Sequence, residues 1–289
     1  MLIKEISRNV HVLDKPLASG EKFTTFFLSD IHFDSPYSNR TLLKKHLDHL
    51  KETGGGIFIN GDWFDLMQGR YDPRRSYTDI LPQYKGDSYI DLVISDSVEF
   101  LLPYADNIIG IGMGNHCTSV LKHCGTNAVE RLITLLNMKA GTSIRLGGYS
   151  GWLIFKFSIA TDGSCVRTKR IKYHHGSRAN ARRSKGILSV DIDAAKWPDA
   201  DIIIKGDDHM KWYYPSMVRQ RIDKNFNIYK DVQHHIRLGS YLDGLADSYG
   251  GWPVEKDFQE CKMGGWYVTF TSKKINQKQG VEIQVNEAI

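Results

Sequence analysis

The sequence predicts an α/β fold, and three observations carry that expectation. Short apolar runs alternate with stretches of helical spacing through the first two thirds of the chain. The second half, beyond about Ser150, is dominated by β-branched and aromatic runs of strand length. Aspartates and histidines recur just past the ends of the apolar runs, the edge at which open α/β sheets bind ligands.

Taken in order, Phe23 to Leu28 reads as a buried strand. Thr41 to Glu52 reads as a helix, with Leu42, Leu43, His46, Leu47 and Leu50 on one face and Gly54-Gly55-Gly56 as its stop. Ile57 to Asn60 forms a second strand, Asp91 to Tyr104 a helix, Asn107 to Met113 a third strand, and Ala128 to Asn137 a helix with Val129, Leu132, Leu135 and Leu136 turned inward. Beyond about Ser150 the expected strands are Trp152 to Ile159, Val166 to Tyr173, Ile202 to Lys205, His234 to Leu238, Trp266 to Ser272 and Val281 to Val285. Met67 to Asp87 has little periodicity and many basic and tyrosine residues, which marks an excursion from the core, a lid or a surface loop.

Composition narrows the function classes. With 41% hydrophobic and 25% charged residues, the chain has the balance of a folded globular protein and not that of a disordered one. Its 289 residues suffice for one large domain or two ordinary ones; no Pro/Gly/Ser-rich linker divides it, so one continuous domain over 1–289 is expected. The longest apolar runs, such as Ile108 to Met113, fall far short of the roughly 18 residues of a membrane span. Met1 to Gly20 holds no signal-peptide run, so the expected location is cytoplasmic, with no membrane partner. Four cysteines, Cys117, Cys124, Cys165 and Cys261, form no CxxC pair and are read as reduced thiols. The net charge of +5 favours anionic partners without demanding nucleic acid.

The chemistry is concentrated in five segments, each at the C-terminal end of a predicted strand. They are Ser29-Asp30-Ile31-His32, Gly61-Asp62-Trp63-Phe64-Asp65, Gly114-Asn115-His116, His174-His175-Gly176 and Gly206-Asp207-Asp208-His209. Carboxylate oxygens and imidazole nitrogens suit manganese, iron, zinc or nickel, and five such groups on one edge can hold two ions. Asp62 has two oxygens with which to bridge a cation pair, while Asn115 offers a neutral carbonyl oxygen. Gly110-Ile111-Gly112-Met113-Gly114 invites a dinucleotide-loop reading but lacks the full GxGxxG and the acidic ribose ligand. His46, His49, His123 and His234 lie in helical or strand patterns outside the clusters and are read as satisfied or solvent-facing.

As an ordered set, these segments resemble the calcineurin-like metallophosphoesterase superfamily, whose pattern is DxH, GDxxD, GNH, a further His, and GHxH. The resemblance spans about Phe23 to His209, and Leu238-Gly239-Ser240-Tyr241 looks like the GS turn that follows the last motif in such proteins. It implies a four-layer α/β/β/α sandwich of two mixed sheets flanked by helices. It also implies a binuclear centre, with manganese the first expectation, in which a hydroxide bridging the ions attacks a phosphoester. Carried over by position, Asp30, His32 and His209 would hold one ion and Asp62 would bridge. Asn115 and His175, or alternatively His174, would hold the other, and Asp65 would lie behind the ligands. His116 would protonate the leaving oxygen or stabilise charge on the phosphate. The departure is Asp207, standing where the family's first GHxH histidine belongs, with Asp208 as a neighbouring substitute.

The resemblance does not choose a substrate. Arg178, Arg182, Arg183 and Lys185 follow the HHG segment, with Lys169, Arg170 and Lys172 before it, which favours a phosphodiester in nucleic acid or nucleotides. Tyr71, Tyr77 and Tyr84 would add base stacking. The competing expectations are a phosphomonoesterase and a binding scaffold of this fold with little or no catalysis.

Overall fold

Both faces of the strand Lys22–Leu28 are apolar, and the structure uses both. The computed structural model describes residues 3–66, 80–159, 165–177, 186–223, 225–244, 261–275 and 278–289. In chain order the strands are β1 (Ile3–Ser7), β2 (Val10–Pro16), β3 (Lys22–Leu28), β4 (Gly56–Ile59), β5 (Ile108–Ile111), β6 (Arg145–Leu146), β7 (Ser150–Ser158), β8 (Val166–His174), β9 (Ile202–Lys205), β10 (Trp212–Ile222), β11 (Ile228–Arg237), β12 (Trp266–Ile275) and β13 (Lys278–Glu287). The helices are α1 (Arg40–Thr53), α2 (Tyr89–Leu101), α3 (Asn115–Cys124), α4 (Ala128–Ala140) and α5 (Val190–Lys196).

The strands form two mixed sheets flanked by helices, ordered β13-β12-β3-β4-β5-β6 and β1-β2-β7-β8-β9-β11-β10. Phe23 and Phe27 of β3 and Phe58 of β4 meet Phe155, Phe157, Ile171, Tyr173, Ile202 and Ile204 of the second sheet in one buried cluster. On the opposite face of the first sheet, Phe26, Leu28, Ile57 and Ile59 pack on Leu43, Leu47 and Leu50 of α1 and on apolar residues of α2 and α4. This double burial explains why β3 and β4 read as continuous apolar runs and not as alternating ones.

Helix α1 starts at Asn39, whose side-chain oxygen accepts from the Leu42 N–H at 2.9 Å, and ends at Gly54, in the left-handed conformation at φ 66°. β3, β4 and β5 are parallel, with α1 and α2 in the crossovers, so their C-terminal ends share one edge. β8 and β9 are likewise parallel and end on the histidine and aspartate segments.

Several local expectations need correction. Two strands were not expected at the N-terminus: β1 and β2 add to the second sheet, with β2 running parallel to β7. β10 escaped notice because it is a half-exposed edge strand without a fully apolar face. The glycine-rich third strand is shorter than expected and leads into α3, which begins at Asn115 itself. The excursion read at 67–87 does not extend through its full length. Residues 67–79 lie outside the described residues, but Ile80 and Tyr84 are buried in the helix-side core, and Pro82–Tyr84 forms a turn of 3-10 helix. The Tyr84 hydroxyl accepts from Arg40 at 2.6 Å and contacts Asp96, so this ring is unavailable to stack on a base. Tyr71 and Tyr77 lie outside the described residues.

Candidate metal centre and its supports

The strand ends bring Asp30, His32, Asp62, Asn115, His116, His175, Asp207 and His209 to one site. Ligand atoms of Asp30, His32 and His209 lie within 4.8 Å of one another, as do those of Asp30, Asp62 and His175. The Asp30, His32, Asp62, His116, His175 and Asp207 side chains are almost wholly buried.

The backbone is forced to achieve this. Among the described residues, seven non-glycine residues have positive φ, and five of them are Asp30, His32, Asp62, Asp207 and His209. A left-handed conformation costs an ordinary residue roughly 1–2 kcal/mol, and such strain persists where the surroundings over-determine it. Here the Asp30-x-His32 and Asp207-x-His209 pairs share the device: residues two apart both adopt it, which bends each segment back over its strand end.

Close backbone approach completes the assembly. A Cβ on Gly114 would lie 2.0 Å from Asp62 Oδ1, and one on Gly206 would lie 2.4 Å from Ser29 Oγ and 2.8 Å from Asp30 Oδ2. The glycine run ending at Gly114 therefore serves the approach of a carboxylate to the start of α3, not a dinucleotide loop. The His116 N–H, in the first turn of α3, donates to Asp62 Oδ1 at 3.0 Å, so the positive end of the helix faces the carboxylate. Across the two sheets, the Asp207 N–H donates to Asp30 Oδ2 at 3.0 Å. Ser240 Oγ and the Tyr241 N–H both donate to the Asp30 carbonyl at 3.0 Å, which shows what the Gly239-Ser240 turn supports.

His175 and His32 are each oriented through Nδ1. His175 Nδ1 donates to the Asn60 carbonyl at 2.8 Å, which leaves Nε2 facing Asp62 Oδ2 and the Asn115 side-chain amide, each at 3.1 Å. Burial opposes charge on His175, but Asp62 and Asp30 outweigh it and push the imidazole up to about 10, so a proton stays on the ring unless a cation takes its place. Burial also opposes charge on Asp62, and His175, His116 and His32 more than reverse it, holding the carboxylate well below its ordinary range. His32 Nδ1 faces Asp65 Oδ1 at 3.0 Å, whereas its buried Nε2 has no hydrogen-bond partner among the described residues. An orphaned imidazole nitrogen beside clustered carboxylates is the donor set a divalent cation completes, and the residues present fit such ions.

His174 is not part of the cluster. Its Nδ1 accepts from the Gly176 N–H at 2.9 Å, its ring lies against Trp197 and Tyr149, and burial together with Lys205 and Lys172 pushes it down to about 4. Asp208 is engaged elsewhere, 3.3 Å from Arg237 Nη1, while Asp207 Oδ1 stands 3.8 Å from His175 Nε2. Cys117, 3.9 Å from Asp62, is pushed up to about 12 by burial and remains a neutral thiol; none of the four cysteines is in a disulfide. Arg178, Arg182 and Arg183 lie outside the described residues.

Sequence reasoning missed Asp34. Its buried carboxylate accepts the Asp65 N–H at 2.7 Å, the Leu66 N–H at 2.9 Å and the Tyr89 hydroxyl at 2.5 Å, and so holds the turn that carries Asp65. Its place four residues after Asp30 was the available signal, but nothing local distinguishes it from a surface aspartate.

No protein-family model matches the chain, and no curated protein matches it. Among solved structures it is similar to GAP50, the anchor in the inner membrane complex of Plasmodium, with 12% identity, a TM-score of 0.43, and coverage of 92% of this chain and 85% of that one. It is also similar to Vps29 complexed with Zn2+ from Entamoeba histolytica, with 10% identity, a TM-score of 0.32, and coverage of 91% and 99%. A conserved uncharacterised protein of Streptococcus pneumoniae, described as a predicted phosphoesterase, is similar at 11% identity with a TM-score of 0.29, covering 86% and 82%. Among the described residues no helix is long and apolar enough to cross a membrane.

Proposed function

We propose that this chain is a divalent-metal-dependent phosphoesterase of the calcineurin-like kind that cleaves phosphodiesters in nucleic acid or nucleotides. The observation that carries the reading is the convergence of the strained Asp30, His32, Asp62, Asp207 and His209 with Asn115 and His175 on one edge, beside a histidine outside the ligand groups that include Asp30. When bound, a pair of divalent ions, manganese or else iron, zinc or nickel, supplies Lewis acidity toward phosphoryl oxygens and an activated water.

The chain's own residues do the rest. Asp30, His32 and His209 would hold one ion, Asn115, His175 and Asp207 the other, with Asp62 between them. His116 Nδ1 faces two acceptors of Asp65, the carbonyl at 2.9 Å and Oδ1 at 3.1 Å, so its proton stays on Nδ1 and Nε2 carries the catalytic proton. The Asp65 carboxylate stabilises the imidazolium, which delivers that proton to the departing oxygen. Buried walls exclude bulk water and strengthen each of these electrostatic contacts. The preference for a polynucleotide is supported by the basic run Arg178, Arg182, Arg183 and Lys185 in the sequence.

The test is hydrolysis of an aryl phosphodiester by protein stripped with a chelator and then reloaded. Activity should vanish on stripping, return with Mn2+ and be absent in Asp62→Ala. Full turnover by the stripped protein or by that variant overturns the metal reading. Binding of a single-stranded oligonucleotide should weaken steeply with salt, and Arg182→Ala with Arg183→Ala should flatten the slope by about one unit for each phosphate left without its guanidinium; an unchanged slope removes the polynucleotide.

A further inference from the structure

The geometry points to two chemically unequal ion positions, with Asp207 making one of them selective for a harder cation. The inference rests on the metal-centre reading above and deepens it. Besides the Asp62 carboxylate set between the two positions, the side of His32 and His209 has two imidazoles and the Asp30 carboxylate, a borderline set suited to zinc or iron. On the other side, the groups around His175 are mostly oxygen. Asp62 Oδ2 lies 3.1 Å from His175 Nε2 and Asp207 Oδ1 lies 3.8 Å from it. With its NH2 turned inward, Asn115 donates to both carboxylates, at 2.7 Å from Asp207 Oδ1 and 2.8 Å from Asp62 Oδ2; turned the other way, it offers its carbonyl oxygen to the same place. This second position therefore has one imidazole nitrogen against three oxygen-bearing side chains, two of them carboxylates.

Asp207 is built into this place. Its φ is 70°, its N–H is tied to Asp30 Oδ2 at 3.0 Å, and its side chain is buried. Gly176 closes against it, since a Cβ there would lie 2.9 Å from Asp207 Cβ. Asp208, engaged by Arg237, does not compete for the position. A carboxylate in place of an imidazole adds a negative charge and an anionic oxygen. Both changes favour manganese or magnesium relative to zinc, because softer nitrogen donors contribute more to zinc than to the harder ions.

The experiment is equilibrium dialysis of stripped full-length protein against Mn2+ and Zn2+, singly and mixed, with metal counted per chain and circular dichroism to check folding. Wild type should bind two ions per chain. Asp207→His should raise the Zn2+ over Mn2+ preference at one position by at least about tenfold and leave the other unchanged. Asp207→Asn, which keeps the shape and an oxygen but removes the charge, should weaken Mn2+ at the same position by more than it weakens Zn2+. Two ions bound with the same preference in wild type and folded Asp207→His overturns this inference alone. Failure of wild type to retain any divalent ion overturns the metal centre itself. If Asp207→His does not fold, Asp207→Asn decides, and equal weakening of both ions counts against the inference.

Discussion

Asp65 Oδ1 lies 3.0 Å from His32 Nδ1, and the same oxygen lies 3.1 Å from His116 Nδ1. One part-buried carboxylate thus orients a proposed ion ligand and the proposed general acid, whose rings meet edge to face at 4.7 Å. Burial opposes its charge, but the two imidazoles outweigh burial and hold Asp65 well below the ordinary carboxylate range. The residue expected only to lie behind the ligands thus touches both the proposed ion ligand and the proposed general acid.

Asp65→Asn should weaken divalent-ion affinity by about 10–100-fold, the usual cost of losing a partner behind a metal-bound histidine, and should lower kcat as well. Dialysis against graded metal followed by rate measurement at saturation separates the two. Unchanged affinity together with unchanged kcat would remove Asp65 from the site's working parts.

His116→Ala should retain metal near the wild-type level, because the Asp62 contact is made by the backbone N–H and survives the substitution. The loss in kcat/KM should reach about 10²–10⁴ for an alkyl leaving group and be smaller for nitrophenolate, which departs without much proton assistance. Equal losses on the two esters would assign His116 to phosphate orientation.

Gly114→Ala should behave like Asp62→Ala, losing metal and turnover together, since its Cβ would displace the Asp62 carboxylate from 2.0 Å away. Gly112→Ala is the control: its Cβ would meet no neighbour closer than 3.4 Å, an ordinary contact. Full metal retention by folded Gly114→Ala would show that the Asp62 position is not set by this approach.

The pH dependence of stability carries a signature of His46, buried between α1 and the core with Nδ1 2.8 Å from the Tyr241 hydroxyl. Burial, with help from Lys211 and Lys45, lowers it from 6.5 to about 4. In the unfolded chain the ring takes up a proton near pH 6.5 and in the folded chain only near 4, so its contribution is complete above 6.5 and is lost as pH falls toward 4. Between pH 7 and pH 5, wild type should lose about 1–2 kcal/mol more than His46→Gln in urea unfolding. Parallel curves for the two proteins would exclude this linkage.

Much of the site was legible because its segments are local. Asp30, His32, Asp62, Asn115 and His116 each sit within a few residues of a strand end, and apolar runs mark those ends plainly. The two mixed sheets and their flanking helices follow the same logic: buried parallel strands need apolar residues on both faces, and that pattern survives in sequence. β10 and the N-terminal pair β1 and β2 were hidden because half-exposed strands mix polar and apolar side chains without a clear period.

By itself, then, the sequence determined which segments reach the ligand edge and which residue types they bring there. Only the tertiary structure decided between adjacent residues. Ile171 and Tyr173 face the inter-sheet core, so side-chain alternation carries His175 toward the cluster and turns His174, with Lys172, toward Trp197. Beyond β9, Arg237 of the neighbouring strand claims Asp208, and the Asp30 carboxylate fixes the backbone of Asp207. Which face of a strand is buried, and which neighbour reaches a side chain beyond its end, are properties of packing between elements distant in sequence, and no spacing within a motif encodes them.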